Sequence, residues 1–169
     1  EAFKVMEDYA DQMRDELSGF LLECAGHDMS ADSQRDIGVM LRMVVDLEDI
    51  TDDCFSLIML LEKASERGLV LDKDEMDSLG PYTLLVENFL RFVQENIKGR
   101  INAEQLATAQ QLEDSIDDLR SALKKKARKR LQAGANVKSE LLFMDIVRHI
   151  EKIGDRAYGV SQALREIKY

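Results

Sequence analysis

With 169 residues, 45% of them apolar and 33% charged, the chain can bury a hydrophobic core and lacks the composition of a disordered segment. Its formal net charge of −10 argues against nucleic acid as a partner, since phosphate contacts need an excess of Lys and Arg. Cations and basic protein surfaces remain as partners. A single proline, no tryptophan and an abundance of Leu, Glu, Lys, Arg, Ala and Met favour long helices.

Cys24 and Cys54 stand apart, with no Cys-x-x-Cys or Cys/His zinc spacing, and read as reduced thiols of a cytosolic protein. No apolar run reaches the ~18 residues of a membrane-spanning helix, and no signal peptide is visible. The start at Glu1 without an initiator Met leads us to expect a fragment of a longer chain.

Five helices are predicted. The first runs from about Glu1 to Glu23 and stops near Gly26. The second starts after Ser30 or Asp32, either of which can cap it, and runs to about Arg67, with Gly68 as its stop. The third spans about Asp74–Lys98, with Gly80-Pro81 predicting an early kink or a late start. The fourth follows Asn102 and ends before Gly134; the fifth runs from near Asn136 to the end. Leu142, Ile146, Ile150, Ile153, Ala157, Val160 and Leu164 form an apolar stripe of helical period on the fifth helix. On the third, Leu84, Leu85, Phe89, Phe92 and Val93 are the candidate core. Long helices with short connections predict an all-α antiparallel bundle.

An internal repeat appears when helices are compared. Met6-Glu7-Asp8 through Asp11 to Arg14 reads against Leu112-Glu113-Asp114 through Asp117 to Arg120. One helix later, Leu47-Glu48 through Asp52 reads against Ile150-Glu151 through Asp155. Each half therefore carries two successive Glu-x-x-x-Asp pairs: Glu7/Asp11 and Glu48/Asp52, then Glu113/Asp117 and Glu151/Asp155. Residues four apart share a helix face, so two adjacent helices would offer four carboxylates to one patch. Such an oxygen-rich patch suits hard divalent cations; it also reads simply as a solvated acidic face offset by Lys and Arg. On the fifth helix Glu151 and Asp155 lie off the apolar stripe, which places the patch in a surface groove.

A di-iron bundle enzyme would need Glu-x-x-His pairs, which are absent, and His27 and His149 lack partners at catalytic spacing. No phosphate-binding Gly-rich loop or nucleophile elbow is present. No enzyme activity is expected. The run Lys124-Lys125-Lys126-Ala127-Arg128-Lys129-Arg130 complements the C-terminus of the fourth helix, or meets an acidic partner or anionic membrane surface.

The segment from Asp145 to Ala157, with Glu151-Lys152-Ile153-Gly154-Asp155-Arg156-Ala157 at its heart, resembles the Glu-Arg-Ile-Gly-Asp-His-Ala hallmark of PhoU proteins. Lys152 stands for Arg and Arg156 for His. Leu47-Glu48-Asp49-Ile50-Thr51-Asp52-Asp53 resembles the same segment in more degenerate form, with Asp49 for Arg, Thr51 for Gly and Asp53 for His. The resemblance implies one domain over residues 1–169, built of two three-helix repeats. The first, about 1–68, lacks its first helix; the second spans about 73–169. It further implies a cytosolic regulator of phosphate uptake at the inner face of the membrane. Two forms follow: a domain appended to the transmembrane part of a sodium/phosphate symporter, or a free regulator linking a phosphate ABC transporter to a sensor kinase. Iron, zinc or another divalent metal at the four acidic pairs, and self-association into a homo-oligomer, are also implied.

Overall fold

The computed structural model describes residues 2–168. Among them are five α-helices and no strand: α1 (Ala2–Ala25), α2 (Ala31–Glu66), α3 (Lys73–Asn96), α4 (Ala103–Gln132) and α5 (Val137–Glu166). The capping residues act as their chemistry dictates. Ser30 Oγ accepts from the Ser33 amide, and Asn136 Oδ1 from the amides of Lys138 and Ser139. Asp72 with Glu75, and Asn102 with Gln105, close reciprocal capping boxes. At the other ends, Gly68 and Gly134 take positive φ (64° and 91°), the left-handed turn that glycine adopts without steric cost.

Pro81 does not delay α3, which starts at Lys73 and runs through it. The capping box holds the first two turns ahead of the proline, and the Thr83 hydroxyl donates to the carbonyls of Leu79 and Gly80. The third helix keeps most of the predicted set, with Phe89 and Val93 buried and Leu85 and Phe92 half-buried against the core, and adds to it. Tyr82, Val86, Phe89 and Val93 lie inside, whereas Leu84 is exposed.

Helix α5 is the axis of the bundle, packing on α2, α3 and α4, and all seven residues of its predicted stripe are buried. Helix α1 packs on α2 alone and has no buried residue. The repeat explains this asymmetry. In the second half, α3 covers the pair α4–α5; among the described residues nothing covers α1–α2 in the same way. Leu123, covered, is 3% exposed, while its counterpart Leu17 is 44% exposed.

Candidate functional site

The four acidic pairs sit where the two helix pairs meet. Arg14, one turn beyond Asp11 on α1, reaches across to α2 and donates to Glu48 at 2.6 Å, while holding Asp11 at 3.1 Å. Arg120, at the equivalent place on α4, pairs with Glu151 of α5 and holds Asp117 at 3.2 Å; Lys124 lies 3.7 Å from Glu151. In each cluster one arginine thus joins the Asp of the first acidic pair to the Glu of the second, an arrangement made twice by the repeat. The arginines matched in the two copies of the repeat, and their central position is what sequence reasoning did not assign.

Electrostatics reflect crowding that one arginine does not fully relieve. Glu48 is pushed up to about 7, first by burial, then by its hydrogen bond with Asp11 and the charge of Asp52, with Arg14 pulling the other way. Asp52 is raised by burial and by Asp11, and Glu7 by desolvation and by Asp11. In the second cluster Glu113 is raised by burial, then by Asp117, Asp114 and Asp155. Asp155 is raised by burial and by Asp117. Asp52 and Asp155 stay exposed, so both clusters open to the surface.

These carboxylates have the oxygen chemistry of a divalent-metal site. As arranged in the structure, a guanidinium lies between the carboxylates of each cluster. Among the described residues no three His, Cys, Asp or Glu side chains converge at metal-holding geometry. The Nε of Arg120 is buried without a hydrogen-bond partner among the described residues.

Between the clusters runs the α2–α5 interface, which follows a pseudo-twofold rule with the charges exchanged. Asp53 reaches His149 (3.0 Å) and Lys152 (3.3 Å) on α5. Its counterpart Arg156 reaches Asp46 (3.1 Å) and Asp49 (3.0 Å) on α2. Asp46 and Asp49 are the repeat equivalents of His149 and Lys152. The departures of Asp49, Asp53 and Arg156 from the hallmark therefore compensate one another across one interface. Glycine serves packing here. A Cβ on Gly154 would lie 2.8 Å from Ile116 Cδ1, and one on Gly159 would lie 2.6 Å from Asp46 Oδ2. In the first repeat the volumes are swapped, with Thr51 in place of Gly154 and Ala10 in place of Ile116 along a shared groove.

Residues 84–164 match the family model of the PhoU domain. The PhoU match runs from within α3 to near the end of α5 and takes in Glu113, Asp117, Glu151 and Asp155. No curated protein and no solved structure matches the chain. PhoU domains are generally regulatory and non-enzymatic. No described helix is long and apolar enough to cross a membrane.

Proposed function

We infer that the chain is a regulatory module of phosphate uptake, acting in the cytoplasm through protein contacts and not through catalysis. The PhoU match over α3–α5 carries this reading. The surface offered for contact is the bare groove between α1 and α2, lined by Phe3, Met6, Phe55 and Ile58 at one end and by Met13, Leu17 and Leu47 further along. Its partners are phosphate-transport and sensor proteins.

A free regulator linking a phosphate ABC transporter to a sensor kinase follows most directly from a match to the PhoU domain itself. The second reading, a domain appended to a sodium/phosphate symporter, is favoured by the bare α1–α2 face, which suits a covering partner as close as the same polypeptide. Removing these residues from the gene should change phosphate uptake at fixed external phosphate; unchanged uptake would overturn the regulatory reading. Fractionating the full-length product separates the two forms. Membrane recovery resistant to salt and alkaline wash supports the appended domain, and a soluble product supports the free regulator.

Metal regulation at the acidic pairs takes a conditional form. For iron, zinc or another divalent ion to be held by Glu7, Asp11, Glu48 and Asp52, Arg14 has to leave. For Glu113, Asp117, Glu151 and Asp155, the same is required of Arg120.

A further inference from the structure

One end of the bundle contradicts the charge of the whole. The run on the last turns of α4 does not simply neutralise its own helix. Lys124 is drawn to Glu151, and Arg130 is taken inward by Glu140 (2.5 Å), with Glu75 at 3.8 Å and its guanidinium over the Phe143 ring. That leaves Lys125, Lys126, Arg128 and Lys129 exposed, and none of them is in an ion pair among the described residues. The fold brings four more exposed, unpaired cations to the same end: Lys63 and Arg67 from the close of α2, Lys73 from the start of α3 and Lys138 from the start of α5. The exposed carboxylates there are Glu62, Glu66, Asp72, Asp74 and Asp77, with Asp72 engaged as a helix cap.

Within these cations lie two exposed apolar side chains, one in a loop and one on the first turn of α5. Val70 in the α2–α3 connection is 79% exposed and Val137 at the α4–α5 connection is 60% exposed. The connections abut, since Ser139 Oγ donates to the Val70 carbonyl at 3.4 Å. Leu141, also exposed, borders the groove that Lys63, Arg67 and Lys138 rim.

The geometry points to this end as a docking surface for an anionic lipid bilayer, with Val70 and Val137 entering the headgroup layer and the surrounding Lys and Arg meeting lipid phosphates. Two features favour a bilayer over an acidic protein. Six of the eight free cations are Lys, flexible point charges suited to a fluid array of phosphates; the fork of Arg suits fixed carboxylates better. Val70 and Val137 are small apolar side chains that protrude beside the groove bordered by Leu141, as suits shallow insertion. The acidic remainder does not forbid approach. Asp117 lies 15 residues before the end of α4, about 22 Å along the helix, more than two screening lengths of ~8 Å at physiological salt. The bundle would stand end-on with its acidic clusters held away. Each Lys or Arg near such a surface adds to the attraction, so a handful suffices for reversible binding. This holds whether the chain is free or appended to a transporter.

Vesicle flotation tests it directly. The unaltered chain should float with phosphatidylcholine vesicles containing phosphatidylglycerol, fail to float with phosphatidylcholine alone, and detach in high salt. Replacing Lys125, Lys126, Arg128 and Lys129 by Ser should weaken binding about tenfold or more. Val70→Asp with Val137→Asp should weaken it too while leaving every cation in place; circular dichroism confirms that each variant is folded. No binding to the anionic vesicles, or equal binding to neutral ones, overturns the proposal. So does binding of poly-glutamate, but not vesicles, that the Ser variant loses: this end would then be a site for an acidic protein.

Discussion

Gly154 shows how a single position in the Ile-Gly-Asp segment is constrained by volume. Its missing side chain makes room for Ile116, itself almost fully buried. Gly154→Ala should destabilise the chain by about 1–3 kcal/mol through overpacking, against a small gain in helix propensity. Ile116→Val, which removes the Cδ1 atom, should restore part of that loss in the double variant. Thermal denaturation of the four combinations measures the coupling; strictly additive effects would show that the contact does not limit the position. The arginines are the other residue-scale test. Arg120→Ala leaves Glu113, Asp117, Glu151 and Asp155 without their central cation. Calorimetric titration with Mn²⁺ should show weak binding by the unaltered chain and affinity about tenfold or more higher in the variant. Equal affinity would mean that the guanidinium does not exclude the ion.

At the scale of elements, α1 is the least secured part of the bundle. It rests on one neighbour, buries no residue, and leaves Phe3, Met6, Tyr9 and Phe20 exposed. Its amides should exchange with solvent well ahead of those of α5, which is packed on three sides. Hydrogen exchange read by mass spectrometry tests this, and a partner that covers the α1–α2 groove should slow exchange in α1 first. Protection of α1 equal to that of α5 in the isolated chain would show that the groove is not a weak seam. The junction of α3, α4 and α5 is the opposite case. Arg130 bridges two carboxylates, Glu75 and Glu140, that are all but sealed from water. Such a triad orients three helix ends at once, and removing its cation would strand both charges.

At the scale of the molecule, the chain's excess of negative charge is concentrated where carboxylates already crowd. Glu48, Asp52, Glu113 and Asp155 all have raised pKa, burial being the largest cause in each. A carboxyl group that is easier to protonate when folded than when unfolded adds stability below its unfolded pKa, and that contribution is lost as pH rises through the folded value. For Glu48 the window runs from 4.5 to about 7. The melting temperature should therefore rise as pH is lowered from 7.5 to about 5.5, and Glu48→Gln should flatten the rise. A melting temperature that falls over this interval would show that Arg14 outweighs burial.

The sequence by itself determined the elements. Helical period, Asn102 as a cap, Ser30 as one of two candidate caps, and Gly68 and Gly134 as stops are local signals, because capping and left-handed turns are made by neighbouring residues. The repeat, and the four acidic pairs within it, were equally visible, since periodicity needs only comparison along the chain. Of the two options that Pro81 left open, the late start is not taken, because a capping box and packing on α4 and α5 hold the helix from Lys73 onward. Leu84 misled because a face is chosen by the neighbour it meets, not by the density of apolar residues. Only the tertiary structure decided what surrounds the carboxylates. Arg14 and Arg120 lie within the acidic patches because α2 and α5 bring Glu48 and Glu151 to them from 34 and 31 positions away. The exchange of charge between Asp53 and Arg156, and the gathering of free cations from four helix ends into one surface, have the same origin: Coulomb interactions act through space, and the packing of the helices sets those distances.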